Sequence, residues 1–150
     1  MCSKILQLCT NKVFTFSGHR CENITMDMCK DVGYATTSFP NLVGHLTQAD
    51  AEIDLAYYYA LVTVECAPYV KEFLCSMFVP KCDNTIPQYQ PCRSFCNSVT
   101  LSCQKILKDL SMSWPSTSIC HNFDDKGSCY SPWNEGKTEL SKIAFLGYLD

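Results

Sequence analysis

Twelve cysteines in a chain of 150 residues constrain this protein more than any other feature of its sequence. They stand at positions 2, 9, 21, 29, 66, 75, 82, 92, 96, 103, 120 and 129. Reduced cytosolic proteins rarely carry such a density without a metal, whereas small domains of oxidising compartments use it to staple their folds. Zinc sites show close cysteine pairs followed by a second pair of cysteines or histidines. Only Cys92 and Cys96 come that close, and His19, His45 and His121 are far apart. The cysteines therefore predict disulfides, an extracellular location, no metal and no other cofactor. A disulfide closing a long loop contributes about 2 to 4 kcal/mol, against a usual total stability of about 5 to 15 kcal/mol. Full reduction is expected to unfold the chain.

The length fits one domain, able to bury roughly two thirds of the surface its unfolded form exposes. The net charge of −3 and pI near 5.5 come without any clustering of Lys and Arg, which excludes a nucleic-acid backbone as partner. The first nine residues lack the apolar run of a signal peptide. The richest apolar stretch, Ala56 to Val64, is too short to span a bilayer, so no membrane span is expected within this chain, which reads as a module of something larger. Nucleophile elbows, zinc-binding helices and phosphate-cradling glycine loops are all missing, and no histidine stands near an unpaired cysteine. Asp50, Glu52 and Asp54 fit the solvated face of a helix, so the chain is not expected to be an enzyme.

Residues 9 to 46 lack a sustained helical period, which predicts loops with short strands. Asn23-Ile24-Thr25 is a glycosylation sequon in this region. At Thr47-Gln48-Ala49-Asp50 a spacing like that of a capping box precedes apolar residues at Ile53, Tyr57, Leu61 and Val64. An amphipathic helix is expected from Gln48 to about Val64. Pro68 suits the first turn of a second helix, continued by Val70, Phe73, Leu74, Met77 and Phe78 and stopped by Pro80. A third helix is expected over Cys92 to Leu110, where Cys92, Cys96, Val99, Cys103, Ile106 and Leu110 share a face. Residues seven apart on a helix are about 10 Å apart, beyond disulfide reach, so these cysteines must bond to other elements. Residues from Ser111 onward read as an irregular wrap, and Thr138 to Asp150 as a short helix or tail. The fold class is mainly α: a small disulfide-rich helical bundle with short N-terminal β-strands.

From Cys21 to Cys129 the chain resembles the Frizzled cysteine-rich domain. The resemblance rests on ten cysteines in order and on what lies between them. It takes in Cys21-Glu22-Asn23-Ile24-Thr25, Cys29, Tyr34, Thr37, Pro40-Asn41, His45 and Thr47-Gln48. It continues through Leu61-Val62, Cys66, Phe73-Leu74-Cys75-Ser76-Met77-Phe78, Pro80-Lys81-Cys82, Pro91-Cys92-Arg93-Ser94 and Trp114-Pro115. It implies the pairing Cys21 with Cys82, Cys29 with Cys75, Cys66 with Cys103, Cys92 with Cys129 and Cys96 with Cys120. Spacing alone does not choose among about a thousand pairings of ten cysteines. Cys2 and Cys9 fall outside the pattern and are expected to pair with each other. The resulting organisation is an N-terminal extension over 1–20 with its extra cysteine pair, the cysteine-rich domain over 21–129, and a tail or linker over 130–150.

The resemblance also implies a function: binding acylated Wnt proteins, with a palmitoleoyl chain lying in an apolar groove. Matched onto this sequence, the groove residues are Tyr57, Tyr58, Ala60, Leu61 and Val64, together with Leu110 and Met112. Leu61 and Val64 stand equally between core and groove, and consecutive tyrosines cannot all face inward. Family members commonly carry proline at the position of Ala60 and an aromatic at that of Met112. Their usual sequon near the tyrosine is replaced here by Ala35-Thr36-Thr37, leaving Asn23 as the glycan site. Two such domains can also pair into a homodimer. Two other readings belong to the same resemblance: an interaction or trafficking module of a corin-like transmembrane protease or other receptor, and a sterol or free fatty acid binding domain.

Overall fold

The computed structural model describes residues 20–134. The proposed Cys2–Cys9 pair and the Thr138–Asp150 segment lie outside them.

All five bonds implied by cysteine order are present: Cys21–Cys82, Cys29–Cys75, Cys66–Cys103, Cys92–Cys129 and Cys96–Cys120. They tie a small antiparallel ladder to a set of short helices. Strand β1 (Glu22–Asn23) pairs with β2 (Thr36–Thr37), with Glu22 opposite Thr37 and Asn23 opposite Thr36. The ladder is extended by the chain around Cys82, whose N–H donates to Thr36 O at 3.0 Å.

Helix α1 (Gln48–Leu55) starts where the sequence placed it. Thr47 is extended, and its hydroxyl accepts from the Asp50 N–H, satisfying an otherwise orphaned donor. The expected single helix then tightens into a 3-10 turn at Ala56–Tyr58 before α2 (Tyr59–Val64). This turn changes which side chains face inward. The buried set is Gln48, Ala51, Leu55, Tyr58 and Leu61, not the stripe of Ile53, Tyr57, Leu61 and Val64. Leu55, Tyr58 and Leu61 are spaced by three, and a turn of three residues lines up that spacing. Of the expected stripe only Leu61 is core; Ile53, Tyr57 and Val64 are exposed. Helix α2 ends at Glu65 in the left-handed region (φ 49), which turns Cys66 toward Cys103.

Helix α3 (Val70–Phe78) begins two residues later than Pro68 would allow, after Tyr69 at φ 64. It occupies the middle of the molecule. Val70, Phe73, Leu74, Cys75, Ser76, Met77 and Phe78 are all buried, and the Ser76 hydroxyl is satisfied by Phe73 O at 2.6 Å. Only Lys71 and Glu72 stay partly exposed, and a helix otherwise apolar round its circumference belongs inside. It stops at Val79 because the residue before a proline avoids helical backbone.

The third expected helix is bent. Helix α4 (Arg93–Ser102) and helix α5 (Gln104–Asp109) meet at Cys103, the residue bonded to Cys66. Just before the bend, the Thr100 hydroxyl donates to Cys96 O at 2.8 Å, a back-bond that bends helices. Leu107 rather than Leu110 faces the core beyond it, and Leu110 is exposed.

The chain after Asp109 wraps back and caps α4. Asp125 accepts from the Ser94 N–H at 2.9 Å, and the Arg93 guanidinium donates to Phe123 O at 2.7 Å. Packing continues past Cys129. Tyr130 is fully buried, donates to Val32 O at 2.8 Å and meets Tyr34 edge-on, while Trp133 packs against Phe95. Tyr130 and Ser131 are thus packed into the domain, and Trp133 rests on its surface.

Candidate functional site

The three consecutive tyrosines divide their tasks by geometry. Tyr58 turns inward: its ring stacks on Trp114 at 6.1 Å and meets Phe78 at 5.9 Å, and its hydroxyl donates to Ser113 O at 2.9 Å. A buried tyrosine needs such a partner for its polar tip. Burial foremost, then the neighbouring Tyr57 and Asp54, push its hydroxyl pKa up to about 12. Tyr57 stays 54% exposed and stands edge-on to Tyr58 at 5.0 Å.

Around this pair lies a cleft of about 430 Å³, with Ile53, Tyr57 and Asp54 on one wall, Pro115 and Thr117 on the other, and Tyr58, Val43 and Phe78 also lining it. Its edge is braced by the loop 41–45. The Asn41 side-chain oxygen accepts from the backbone N–H groups of Val43, Gly44 and His45, and its amide donates to Phe78 O at 2.8 Å. Because that oxygen is committed to three donors, the Asn41 amide must point at His45 Nδ1, 3.0 Å away. His45 then stacks on Phe78 at 5.6 Å and reaches Asp54 through Nε2 at 2.5 Å. The polar end of the cleft is held by this chain of contacts.

A second groove, of about 650 Å³, lies on the other side of the Met112–Trp114 segment. Leu101, Gln104, Leu107, Lys108, Met112 and Trp114 line it.

The seven residues carried over as a groove are thus not brought into one cleft. Tyr57 and Tyr58 line the first and Met112 the second. Ala60, Val64 and Leu110 are exposed and line neither of the two. Leu61 is 0% exposed and reaches no surface. Ile53 and Val43 are wall residues that the sequence reading missed. Ile53 stands one helical turn before Tyr57, a spacing that suits a core stripe and a cleft wall alike.

Among the described residues no group of three His, Cys, Asp or Glu side chains is arranged to hold a metal. No helix among them is long and apolar enough to cross a membrane.

Comparison with known proteins agrees with the fold. Residues 21–127 match the model of the Fz domain. The chain is 37% identical over 123 residues to Frizzled-4 of Drosophila melanogaster, covering 81% of this chain and 17% of that protein. It is 36% identical over 123 residues to Protein mom-5 of Caenorhabditis elegans, covering 82% of this chain and 21% of that protein. It is 31% identical over 135 residues to Frizzled-1 of Xenopus laevis, covering 84% of this chain and 24% of that protein. The chain therefore belongs to the Fz domain family, and it spans less than a quarter of the length of these relatives.

Two solved structures share the fold. The selenomethionine-labelled Smoothened CRD has a TM-score of 0.54 and 24% identity, covering 70% of this chain and 90% of that one. The Xenopus Smoothened cysteine-rich domain, solved in complex with cyclopamine, has a TM-score of 0.55 and 19% identity, covering 71% and 96%.

Proposed function

We propose that this domain works outside the cell as the ligand-binding module of a Frizzled-like receptor or of a secreted Wnt regulator, and that it binds acylated Wnt through the lipid chain. The observation that carries this reading is the cleft beside Tyr58. It sets aliphatic and aromatic side chains, Val43, Ile53, Tyr57, Tyr58 and Phe78, beside polar ones, Asp54, Ser116 and Thr117, in an open cleft next to the core. Ile53 and Tyr57, 73% and 54% exposed, remain in water on a helix whose opposite side is fully packed. Single exposed apolar side chains are ordinary, but a walled cleft with aromatic lining is a natural place for an acyl chain.

The energetics are sufficient. Removing about ten methylenes from water at about 0.8 kcal/mol each gives a gross gain near 8 kcal/mol before ordering costs. Tyr58 acts as the rigid floor, held by Ser113 and Trp114, while Ile53 and Tyr57 form the adjustable wall.

The test is binding of acylated and non-acylated Wnt to the purified domain. Acylated Wnt is expected to bind at least about tenfold more tightly, a difference of about 1.4 kcal/mol. Equal binding of both forms, or of neither, would remove the lipid mechanism and leave a protein-interaction module. Tyr57→Glu is the informative variant, because Tyr57 is exposed and its loss leaves the core intact. Leu61→Glu is not, because that side chain is wholly inside.

A further inference from the structure

We propose that Asn23 carries an N-linked glycan, and that the fold requires the sugar to be attached before β1 and α1 close over the sequon. Three observations support this. First, the chain alternates strictly from Asn23 to Asp27: Asn23, Thr25 and Asp27 face solvent while Ile24 and Met26 are buried. The middle residue of the sequon is an anchor, so its Asn and Thr point outward by the period of extended backbone. Second, the Asn23 side chain makes no hydrogen bond among the described residues, and its own residue is exposed. A glycan on its amide nitrogen displaces nothing.

Third, everything else in the sequon is clamped. Ile24 N–H donates to Ala35 O at 2.9 Å, and Asn23 sits opposite Thr36 in the ladder. Gln48, reaching in from the first turn of α1, takes both the Thr25 N–H at 2.9 Å and the Thr25 hydroxyl at 3.1 Å on Oε1. Its Nε2 donates to Asn23 O at 2.8 Å and to the Glu22 carboxylate at 2.9 Å. Glycosyl transfer needs a mobile acceptor segment with the Thr hydroxyl free, and the folded domain offers neither. In the transfer the Asn23 amide nitrogen attacks the anomeric carbon of a polyprenyl-pyrophosphate-linked oligosaccharide. The new N–C bond forms as the C–O bond to pyrophosphate breaks. The carrier leaves as its pyrophosphate, and the amide loses one proton.

The order of the chain supplies the window. Every partner that clamps the sequon lies downstream: Ala35, Thr36, Gln48 and, through Cys21, Cys82. At about 5 to 20 residues per second, Gln48 follows Thr25 by roughly one to five seconds of synthesis. The attached sugar also stays clear of the cleft. Gln48 faces β1, and Ile53 is five residues further along α1, about 140° around the helix at 3.6 residues per turn.

The test uses the whole chain expressed behind a secretion leader in eukaryotic cells. Asn23-Ile24-Thr25 is the only sequon in the sequence, so one glycan is expected. Peptide N-glycosidase F should produce a single-glycan mobility shift and leave aspartate at position 23 of the tryptic peptide. Asn23→Gln and Thr25→Ala should both lose the shift, and Thr25→Ser should keep it. A secreted, disulfide-bonded native chain with unmodified Asn23 would overturn the site. For timing, the oxidised, unglycosylated domain and its reduced, unfolded form are each given to microsomal oligosaccharyltransferase with lipid-linked oligosaccharide. Only the reduced form should be modified; equal modification of the two would overturn the order of events.

Discussion

Helix α3 and the segment formed by α1 and α2 both bring large apolar side chains to the fold, and they use them differently. Helix α3 buries nearly every residue it has, so its chemistry is chiefly that of packing. The segment from Gln48 to Val64 packs one side and leaves Ile53, Tyr57, Tyr59 and Val64 in water. The apolar residues of α3 are spent on packing, with Phe78 also reaching the cleft; Ile53 and Tyr57, outside the core, line that cleft from the other region.

Reduction of the disulfides cuts across both regions and has the largest expected effect. With the described core stapled by five bonds, excess reductant should abolish the native circular dichroism, and a native-like spectrum would show that packing around α3 suffices by itself. Next is Phe73→Ala. Phe73 is wholly buried between Phe95 at 5.7 Å and Trp114 at 5.4 Å, and its loss should cost about 3 to 5 kcal/mol in a denaturant titration.

Tyr58 sits on the border of the two regions and should behave accordingly. Tyr58→Phe removes the bond to Ser113 O and should cost about 1 kcal/mol. It should also remove a phenol that ionises late in an ultraviolet alkaline titration, since burial raises this hydroxyl from 10.0 to about 12. A raised folded pKa means that the protonated form is favoured by folding. Its contribution is therefore complete below pH 10 and is lost as pH rises toward about 12. The smallest expected change in stability is that of Tyr57→Glu, within about 0.5 kcal/mol, as for other exposed positions. If that variant unfolded the domain, the distinction between the two regions would fail.

Much of this fold can be read from residues alone, and the failures share a cause. The Thr47 cap, the stop at Pro80 and the inward Cys96 of α4, with Cys92 and Cys103 at its two ends, are local signals and appear where expected. The disulfide pairing came from resemblance to a family, since spacing leaves it open. What could not be read was sidedness. Ile53, Tyr57, Leu61 and Val64 follow one 3.6-residue period, but α1 buries Gln48, Ala51 and Leu55, the 3-10 turn at Ala56–Tyr58 carries burial on to Tyr58 and Leu61, and the Tyr58 hydroxyl is held by Ser113 O, distant in sequence. Leu110 leaves the inward face of Cys92, Cys96 and Cys103 because the helix bends at Cys103. The candidate groove came from the resemblance rather than from that period, and its residues lie on different surfaces.

The chain has two tryptophans, and their placement makes the domain its own optical instrument. Trp114 lines the second groove and stacks on Tyr58, which lines the first cleft, so its indole emission should respond to whatever enters either one. Trp133 sits apart, against Tyr69 and Phe95, and serves as the steady background. Replacing Trp133 with phenylalanine would leave a single emitter between the two cavities, able to follow a ligand's arrival without any added label.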